Sequence, residues 1–362
     1  MRVAVLGLGL IGGSIGLAAR ERAGARVLGY DSDPGVCARA LELGAIDERA
    51  EDLAAAVRDA EVVFVATPVG SIPDVLRRAL AAAGPDCVVS DVGSTKRVVA
   101  GAASDERLIG GHPLAGAETA GIEHARADLF DGATWYLTPA RGSTAGVLYE
   151  RLHRLLGSIG ARPAAIDADT HDRLMACVSH LPHVLANLLV AQAGSLLGEE
   201  GAERLPAVGP SFRDATRVAG ANGAIWTDIY MSNRDALSAA AQALCERLQE
   251  LRGWLDAGDA HAIATWNERA REQRDALLGP VLVGGQAGQQ VHELRVPVPN
   301  RPGVIAEIAL ALGRAGVNIA DMALSPSQDN SRGVLALWVG GQEQRDRAAD
   351  LIGELGFPVL GA

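Results

Sequence analysis

The first 31 residues constrain the fold of this chain more than any other segment. A short apolar strand is predicted at 3–6, and it runs directly into the glycine-rich turn Gly7-Leu8-Gly9-Leu10-Ile11-Gly12. The first glycine permits a tight turn, the second lets the backbone approach a pyrophosphate, and the third allows a helix to pack closely on the strand. The N-terminal dipole of that helix then faces the phosphates. The pattern predicts a dinucleotide site to which all six residues of the turn contribute.

The residue that closes the next predicted strand indicates which dinucleotide is bound. Strand 26–30 ends at Asp31, 19 residues after Gly12. A carboxylate in this position can accept hydrogen bonds from the adenosine ribose. Because the same carboxylate would repel a 2'-phosphate, Asp31 favours NAD over NADP, and we expect NAD to be the cofactor.

Two apolar segments superficially resemble export or membrane signals. The uncharged segment 3–19 contains five glycines and is followed by a regular strand, which argues against a signal peptide or membrane helix. The segment 181–197 is interrupted by Pro182, His183, Asn187 and Gln192. It is therefore predicted to be a buried helix of a soluble protein, and no membrane association is expected.

The bulk composition excludes several kinds of partner. A length of 362 residues predicts two or three domains, and 48% hydrophobic residues fit a soluble globular protein. Because the net charge is -11 and no basic run is present, nucleic acid is not an expected partner. The four cysteines have no paired spacing, which indicates a reducing cytoplasm.

From residue 1 to about 165, predicted strands alternate with helices, which indicates an α/β fold of the Rossmann type. The strands are expected at 3–6, 26–30, 62–66, 87–91, 107–110 and 134–138. Such alternation predicts a mainly parallel sheet with helices on both faces, and ligands bind beyond the C-terminal ends of its strands. Three polar loops leave those ends, at 67–69, 91–96 and 111–118. The first loop adds Thr67 and Pro68 to the candidate cofactor contacts.

Two further domains are predicted after the Rossmann domain, which spans 1–165. Strand signals vanish over 166–280, and the sequence there indicates an all-helical domain that closes the substrate cleft and pairs two subunits. The glycine-rich stretch 281–289 is interpreted as a linker. The remainder, 290–362, has the βαββαβ order of a small α+β domain.

Five motifs, taken in order, carry a resemblance to a known family. They are Gly7-Leu-Gly-Leu-Ile-Gly-Gly-Ser14, Asp91-Val-Gly-Ser-Thr-Lys96, Gly111-His-Pro-Leu-Ala-Gly116 with Glu118, Ser179-His-Leu-Pro-His183 and Phe212-Arg-Asp-Ala-Thr-Arg217. With them the chain resembles the prephenate dehydrogenases of tyrosine biosynthesis that carry a C-terminal ACT regulatory domain. The resemblance implies NAD-dependent oxidative decarboxylation of prephenate to 4-hydroxyphenylpyruvate. Such an enzyme chiefly has to align C4 of the ring with the nicotinamide, polarise the C4 hydroxyl and hold two carboxylates.

The resemblance assigns the reacting groups to two loops. His112 matches the family's catalytic histidine, which accepts the proton or hydrogen bond of the C4 hydroxyl, and a near-neutral pKa suits that role. Ser94 is expected to add a hydrogen bond to the same hydroxyl or to His112. The alternatives are a histidine that caps a turn and a serine that caps the next helix.

Substrate contacts are expected mainly in the helical domain. Arg217 matches the arginine that grips a substrate carboxylate through its guanidinium fork, the alternative being a solvated surface charge. Asp214, one helical turn earlier, is expected to orient Arg217 or a histidine. His183 is expected to contact the substrate and His180 to support the site. Trp226 is either a pocket wall or a core residue.

A metal site at His180 and His183 is disfavoured, because no third ligand lies at a convincing spacing and hydride transfer to NAD needs no metal. Glu118 and Lys96 lie next to the two catalytic loops and are candidates for gating substrate entry or stabilising the site. Lys96 is the one lysine in the chain, beside 32 arginines. It is interpreted as support for the Ser94 loop.

The C-terminal domain resembles an ACT domain through Asn300-Arg-Pro-Gly303 and Gly316-Val-Asn-Ile319. This resemblance implies feedback inhibition by L-tyrosine, with Gly303 and Asn318 as candidate contacts. The alternative is a pairing module that binds no ligand. Both the helical domain and the ACT domain suggest at least a homodimer.

Two other functions stay open at this point. An arogenate dehydrogenase would act on a substrate in which an amino group replaces the side-chain keto oxygen of prephenate. A non-catalytic sensor would bind NAD through the Rossmann domain and an amino acid through the ACT domain. Such a sensor would have no use for a base, a hydroxyl and a carboxylate clamp around the nicotinamide.

Overall fold

The computed structural model describes most of the chain: residues 1–116, 119–139, 146–200, 208–278, 291–301, 303–326 and 331–360. The contacts within the chain divide it into two units, Met1–Glu250 and Leu251–Ala362. The boundary falls inside a helix. The predicted linker 281–289 lies outside the described residues, and the three predicted domains stay a prediction.

The first unit begins with a five-stranded parallel sheet. Its strands are β1 (Arg2–Leu6), β2 (Arg26–Tyr30), β3 (Glu48–Arg49), β4 (Val62–Val65) and β5 (Val88–Asp91), in the order β3-β2-β1-β4-β5. The intervening helices are α1 (Leu10–Ala23), α2 (Pro34–Glu42), α3 (Leu53–Val57), α4 (Ile72–Ala82) and, after β5, α5 (Arg97–Ala100). The Rossmann-type parallel sheet expected from the sequence is confirmed.

Both faces of this sheet are buried, which explains why its strands are almost continuously apolar. Val3 and Val5 of β1 belong to a core that also contains Phe64 and Trp135. Ala4 and Leu6 of the same strand point into the opposite core, together with side chains of α3 and α4. Alternate residues of β1 thus serve two cores.

Of the last two predicted strands, 107–110 reaches the parallel sheet only through hydrogen bonds to Val89 of β5, and 134–138 does not join that sheet. They contribute to a separate sheet of β6 (Gly110–Pro113), β7 (Thr134–Thr138) and β8 (Arg162–Ala165), in which β6 pairs antiparallel with β7 and β7 pairs parallel with β8. A single bridge, Val89 to Leu108, connects the two sheets. The prediction of one sheet containing both strands is therefore wrong for 134–138, which pairs with β6 and β8, and holds for 107–110 only at this bridge.

Helices dominate the rest of the first unit, as predicted. They are α6 (Val147–Ser158), α7 (Ala168–Met175), a π-helical turn (Ala176–His180), α8 (Leu181–Glu200), α9 (Pro210–Thr216), α10 (Gly223–Ser232) and α11 (Arg234–Ala257), which continues into the second unit.

The long helical stretch Ala168–Ser195 meets the length and composition of a membrane span, a test that core helices of soluble proteins also pass. The prediction that 181–197 is a buried helix is wrong for the single chain. His183 and Ala186 are buried, but Leu188 is 58% exposed and Leu189 and Val190 are each 44% exposed. The neighbouring elements cover only the first turns of α8.

The second unit contains α12 (Ala260–Leu278) and a small α+β fold. Its elements are β9 (Val291–Pro299), α13 (Val304–Arg314), β10 (Ile319–Pro326), β11 (Arg332–Gly340) and α14 (Gln342–Glu354). The antiparallel sheet has the order β10-β11-β9. The core of this fold contains side chains of β9, β11, α13 and α14, namely Leu294, Val296, Leu337, Ile308 and Ile352. The predicted final strand is reduced to one bridge between Leu360 and Arg295.

The packing of α1 generates a stability prediction at Gly16. A Cβ atom at Gly16 would lie 2.1 Å from the backbone oxygen of Ala45, whereas a Cβ at Gly157 in α6 would have no heavy atom within 4 Å. We expect Gly16→Ala to lower the free energy of unfolding by about 2–3 kcal/mol through overpacking. Gly157→Ala is the matched control and should stabilise by roughly 0.5–1 kcal/mol. Urea denaturation measures both, and equal stability of the two variants would contradict this packing.

Candidate active site

The glycine-rich turn is closed by backbone contacts on one side and open on the other. Gly7 has φ +94°, and a Cβ there would lie 2.6 Å from the oxygen of Ala66, while a Cβ at Gly12 would lie 1.9 Å from the oxygen of Gly7. At Gly9 a Cβ would meet no heavy atom within 4 Å. Gly9 is also the N-cap of α1 and provides no side-chain cap. The first N–H groups of α1, beginning at Leu10 and Ile11, are therefore available to an anion.

Asp31 and Thr67 border this turn. The two Asp31 carboxylate oxygens accept hydrogen bonds from the backbone N–H groups of Leu8, at 2.8 Å, and Asp33, at 3.0 Å. Each oxygen keeps a further lone pair for a ligand hydroxyl. The Thr67 hydroxyl oxygen, next to Pro68, is buried without a hydrogen-bond partner in the described part of the chain. A buried polar atom of this kind indicates a partner outside the chain, and the whole arrangement fits a dinucleotide.

A hydrogen-bonded relay links α7 to His112. Nδ1 of His171 lies 2.8 Å from the Asp172 carboxylate, and Nε2 of His171 lies 2.8 Å from Nδ1 of His112. Asp172 and His171 are fully buried, and His112 is 9% exposed. His112 was predicted to lie in a loop beyond a strand of the parallel sheet. It lies instead within β6, because its backbone pairs with Tyr136 of β7.

The relay determines which nitrogen of His112 is free. A carboxylate only accepts, so His171 donates from Nδ1, and with both rings neutral its Nε2 accepts the Nδ1 proton of His112. Nε2 of His112 is then an unprotonated base, with no hydrogen-bond partner among the residues that the structure describes. Burial, followed by the charge of Lys96, lowers the pKa of His112 well below its usual value, which keeps the ring neutral.

The carboxylate at the other end of the relay stays ionised. Burial acts to raise the pKa of Asp172, but the hydrogen bonds from His171 and from the backbone N–H groups of Arg97 and Lys96 outweigh it, and the pKa is lowered. Those N–H groups lie 2.7 Å (Lys96) and 2.9 Å (Arg97) from the two carboxylate oxygens. Asp172 therefore connects the relay to the loop 91–97.

Lys96 holds the residue before His112. Its ammonium group donates to the Asp91 carboxylate and, at 2.6 Å, to the backbone oxygen of Gly111. The Asp91 carboxylate in turn accepts from the N–H of Gly111 at 3.0 Å. Both Lys96 and Asp91 are fully buried. Burial lowers the pKa of Lys96, and the charges of Asp91 and Asp172 oppose that shift.

Ser94 is half-buried on this loop, but its hydroxyl makes no hydrogen bond to another described residue. The neighbouring Thr95 hydroxyl instead donates to Ser232 at 3.0 Å. The loop is thus tied to α10, and the catalytic role expected of Ser94 stays a prediction.

A second group of aromatic residues lies on α8 and α10. The rings of His183 and Trp226 stack at 3.7 Å with an interplanar angle of 5°, and Nδ1 of His183 is hydrogen-bonded to the Tyr230 hydroxyl. His180 meets the same indole edge to face at 6.3 Å. Burial lowers the pKa of His183, and the backbone of Val218 partly offsets it. His180, His183 and Trp226 are thus brought together as expected for one site.

The other residues predicted to contact the substrate are exposed or lie outside the described residues. Arg217 is exposed at the start of the short helical turn Arg217–Gly220, and Asp214 is exposed on α9. Glu118 lies outside the described residues. Within the described ranges, no cluster of three metal-ligating side chains is present.

Comparison with known proteins assigns the chain to a family. Family models match the prephenate dehydrogenase nucleotide-binding domain at 15–164, the prephenate dehydrogenase dimerization domain at 167–268 and the ACT domain at 292–357. The prephenate dehydrogenase of Bacillus subtilis is 32% identical over 358 residues, covering 97% of this chain and 95% of the relative. The chain belongs to the prephenate dehydrogenase family. The resemblance predicted from the five motifs is confirmed, and the chain is an enzyme.

Solved structures of this family share the fold. Prephenate dehydrogenase from Aquifex aeolicus, in complex with hydroxyphenyl propionate and NAD+, is 26% identical with a TM-score of 0.71, covering 76% of this chain and 98% of that one. Arogenate dehydrogenase from Synechocystis is 29% identical with a TM-score of 0.67, covering 77% of this chain and 100% of that one.

Two residues of this site were not predicted as site residues: His171 and Asp172. Their contacts join distant parts of the chain, since His171 is 59 positions from His112 and Asp172 is 76 from Lys96. The adjacent histidine and aspartate at 171–172 were the available signal. Sequence spacing alone does not reveal that they meet the strand of His112.

The buried position of the single lysine generates a labelling prediction. We expect an amine-reactive acylating reagent to modify the α-amino group of the native enzyme but to spare Lys96, which is fully buried. Both groups should react in concentrated urea, as measured by peptide mass spectrometry. Arg154→Lys, which places a lysine at an exposed position of α6, is the control and should be acylated in the native state. Rapid native acylation of Lys96 would contradict its burial.

Proposed function

We propose that this enzyme catalyses the NAD-dependent oxidative decarboxylation of prephenate to 4-hydroxyphenylpyruvate. The observation that carries the proposal is the relay from Asp172 through His171 to His112, which leaves an unprotonated Nε2 on a strand beside the nucleotide-binding sheet. Alcohol oxidation by hydride transfer requires a base of this kind at the hydroxyl. The 32% identical prephenate dehydrogenase of Bacillus subtilis supports the choice of substrate.

NAD is the proposed cofactor. The open space at Gly9, the uncapped start of α1, the Asp31 carboxylate and the unpartnered Thr67 hydroxyl are the groups that would hold it. When bound, NAD supplies the acceptor for the hydride that leaves C4 of the substrate. The Asp31 carboxylate disfavours a 2'-phosphate, and the similar enzyme from Aquifex aeolicus was solved with NAD+.

In the proposed reaction, His112 acts first as a general base and then as a general acid. Nε2 of His112 accepts the proton of the C4 hydroxyl as the C4–H bond breaks and its electron pair leaves as hydride. The bond from the ring to its carboxylate then breaks, carbon dioxide leaves, and the ring becomes aromatic. His112 returns its proton to the phenolate oxygen. The positive charge that His112 carries meanwhile is stabilised through His171 by the Asp172 carboxylate.

The substrate carries two carboxylates, and we assign their binding to the helical region. Arg217 has the guanidinium fork suited to a carboxylate, and His183, stacked on Trp226, offers a flat surface beside it. Ser94 remains a candidate for a hydrogen bond to the C4 hydroxyl, because it lies on the loop that Asp172 joins to the relay. Asp214 and Glu118 keep their proposed supporting roles.

Arogenate is the second candidate substrate, because the similar structure from Synechocystis is an arogenate dehydrogenase. It differs from prephenate by an amino group in place of the side-chain keto oxygen. We expect NADH formation from prephenate to have a kcat/KM at least about tenfold above that from arogenate, a difference of roughly 1.4 kcal/mol. A preference for arogenate would overturn the substrate assignment. No turnover of either would leave a non-catalytic sensor of NAD and an amino acid.

The assay of NADH formation also tests the role of His112 as the general base. His112→Asn removes the proton acceptor and should lower kcat by about a hundredfold to ten-thousandfold, the usual contribution of a general base. NAD affinity, measured by calorimetry, should be nearly unchanged. His153→Asn, at an exposed position of α6, is the control and should retain full activity. A large loss of NAD affinity in His112→Asn would contradict the assigned role.

We propose further that the ACT domain binds an amino acid effector and that two copies of the chain form a homodimer. The exposed apolar side chains of α8 lie in the region matched by the dimerization-domain model, which supports the homodimer. In the ACT domain, a cavity of about 730 Å³ lies beside Gly303, which has φ +88° and caps α13. Asn318 is exposed just before β10 and does not line this cavity.

L-Tyrosine, the transamination product of 4-hydroxyphenylpyruvate, is the proposed effector. We expect it to inhibit the wild-type enzyme with saturable binding, and Arg301→Ala, a change in the lining of this cavity, to weaken inhibition by about tenfold while kcat without tyrosine stays unchanged. L-Phenylalanine and L-tryptophan are the ligand controls. Absence of tyrosine inhibition would favour a pairing module that binds no ligand.

A further inference from the structure

Asn233 joins three parts of the site through one buried amide. It lies between α10 and α11 and is fully buried. Its Oδ1 accepts from the Arg97 guanidinium at 3.0 Å. Its Nδ2 donates to the backbone oxygen of Asp172 at 2.7 Å and lies 3.2 Å from Nδ1 of His180. One side chain therefore contacts the loop 91–97, the relay and the aromatic group.

The orientation of this amide follows from its partners. A guanidinium can only donate, so Oδ1 of Asn233 has to face Arg97. A backbone carbonyl can only accept, so Nδ2 has to face Asp172. Both constraints give the same orientation, and the second proton on Nδ2 then points to His180.

This orientation determines the tautomer of His180. Because Nδ2 of Asn233 donates, Nδ1 of His180 has to be an acceptor, and a neutral ring then carries its proton on Nε2. Burial lowers the pKa of His180 to about 4, so the ring is neutral at physiological pH. His180 is accordingly an Nε2–H donor.

Within the described part of the chain, no side chain or backbone group accepts from this donor. Nε2 of His180 is buried and makes no hydrogen bond within the described residues. An unsatisfied buried donor is costly, and in native proteins such a group is explained by an internal water, an ion or a functional acceptor. The ring ends the π-helical turn Ala176–His180 and meets Trp226 edge to face, next to the stacked His183. Helical irregularities of this type are frequent at functional sites.

We propose that Asn233 is a positioning residue that holds His180 as an Nε2–H donor, and that this N–H donates a hydrogen bond to a carboxylate or carbonyl oxygen of the bound substrate. The proposal rests on the proposed function for the substrate and adds a specificity-determining contact to it. Asn233 acts only through His180 and Asp172.

The first test uses the ligand-free full-length enzyme with ¹⁵N-labelled histidine. Long-range ¹H–¹⁵N spectra distinguish the two tautomers, and the spectrum of His180→Gln identifies the His180 signals. We expect His180 to be protonated at Nε2 in the wild type. In Asn233→Asp the new carboxylate accepts, so the proton should move to Nδ1. Asn222→Asp is the matched control, because its exposed oxygen only caps α10, and it should leave the tautomer unchanged.

Two results would overturn the positioning role: a wild-type His180 protonated at Nδ1, or an unchanged tautomer in folded Asn233→Asp. The wild-type spectrum tests the positioning role of Asn233 even where Asn233→Asp fails to fold. Since no substrate is present, this test stands apart from the outcome of the activity assay.

The second test measures the substrate contact with whichever substrate the enzyme turns over. His180→Leu removes the donor and should raise KM by about tenfold to a hundredfold, the usual effect of leaving a charged or carbonyl acceptor unpaired. His180→Gln places an amide N–H near the former Nε2 and should restore KM to within about threefold of the wild type. An unchanged KM in folded His180→Leu would show that the N–H serves an internal water and would refute the contact.

Discussion

The buried carboxylate of Asp172 receives hydrogen bonds from two backbone N–H groups of the loop 91–97 and from the imidazole of His171. It thereby joins the loop that leaves β5 to the first helices of the helical region. A carboxylate that accepts several hydrogen bonds remains ionised despite burial, and a buried charge is stable only when it is satisfied in this way. Because this carboxylate only accepts, it makes Nδ1 of His171 the donor, and the relay then leaves Nε2 of His112 as the free nitrogen.

Around this carboxylate, a second buried pair sets the position of the base. Lys96 and Asp91 hold the two backbone polar groups of Gly111, which precedes His112. An ammonium group on a flexible stem can reach a carboxylate and a carbonyl within a small space, whereas a planar guanidinium needs a wider one. This difference gives a physical reason for one lysine in a chain that otherwise uses arginine.

Strands, helices and the nucleotide turn were largely predictable, because their signals are local. The glycine spacing 7–12 predicts a tight turn because a Cβ atom would not fit at Gly7 or Gly12, and the structure shows those close backbone approaches directly. Sheet membership was less predictable: the segments 107–110 and 134–138 carry a strand pattern, but such a pattern does not name the partner strand. The exposure of α8 was missed for the same reason, since an apolar helix looks alike whether its own chain or another covers it.

By itself, the sequence determined the Rossmann-type sheet, the dinucleotide turn, the helical region, the small α+β domain and the family, because five motifs keep their order and spacing. It also singled out His112, His180, His183 and Trp226 as site residues. Only the tertiary structure decided how protons are distributed among them. Tautomers depend on which donor faces which acceptor, and here the partners are Asp172, His171 and Asn233. Asn233 is 61 positions from Asp172 along the chain, and only folding brings them together.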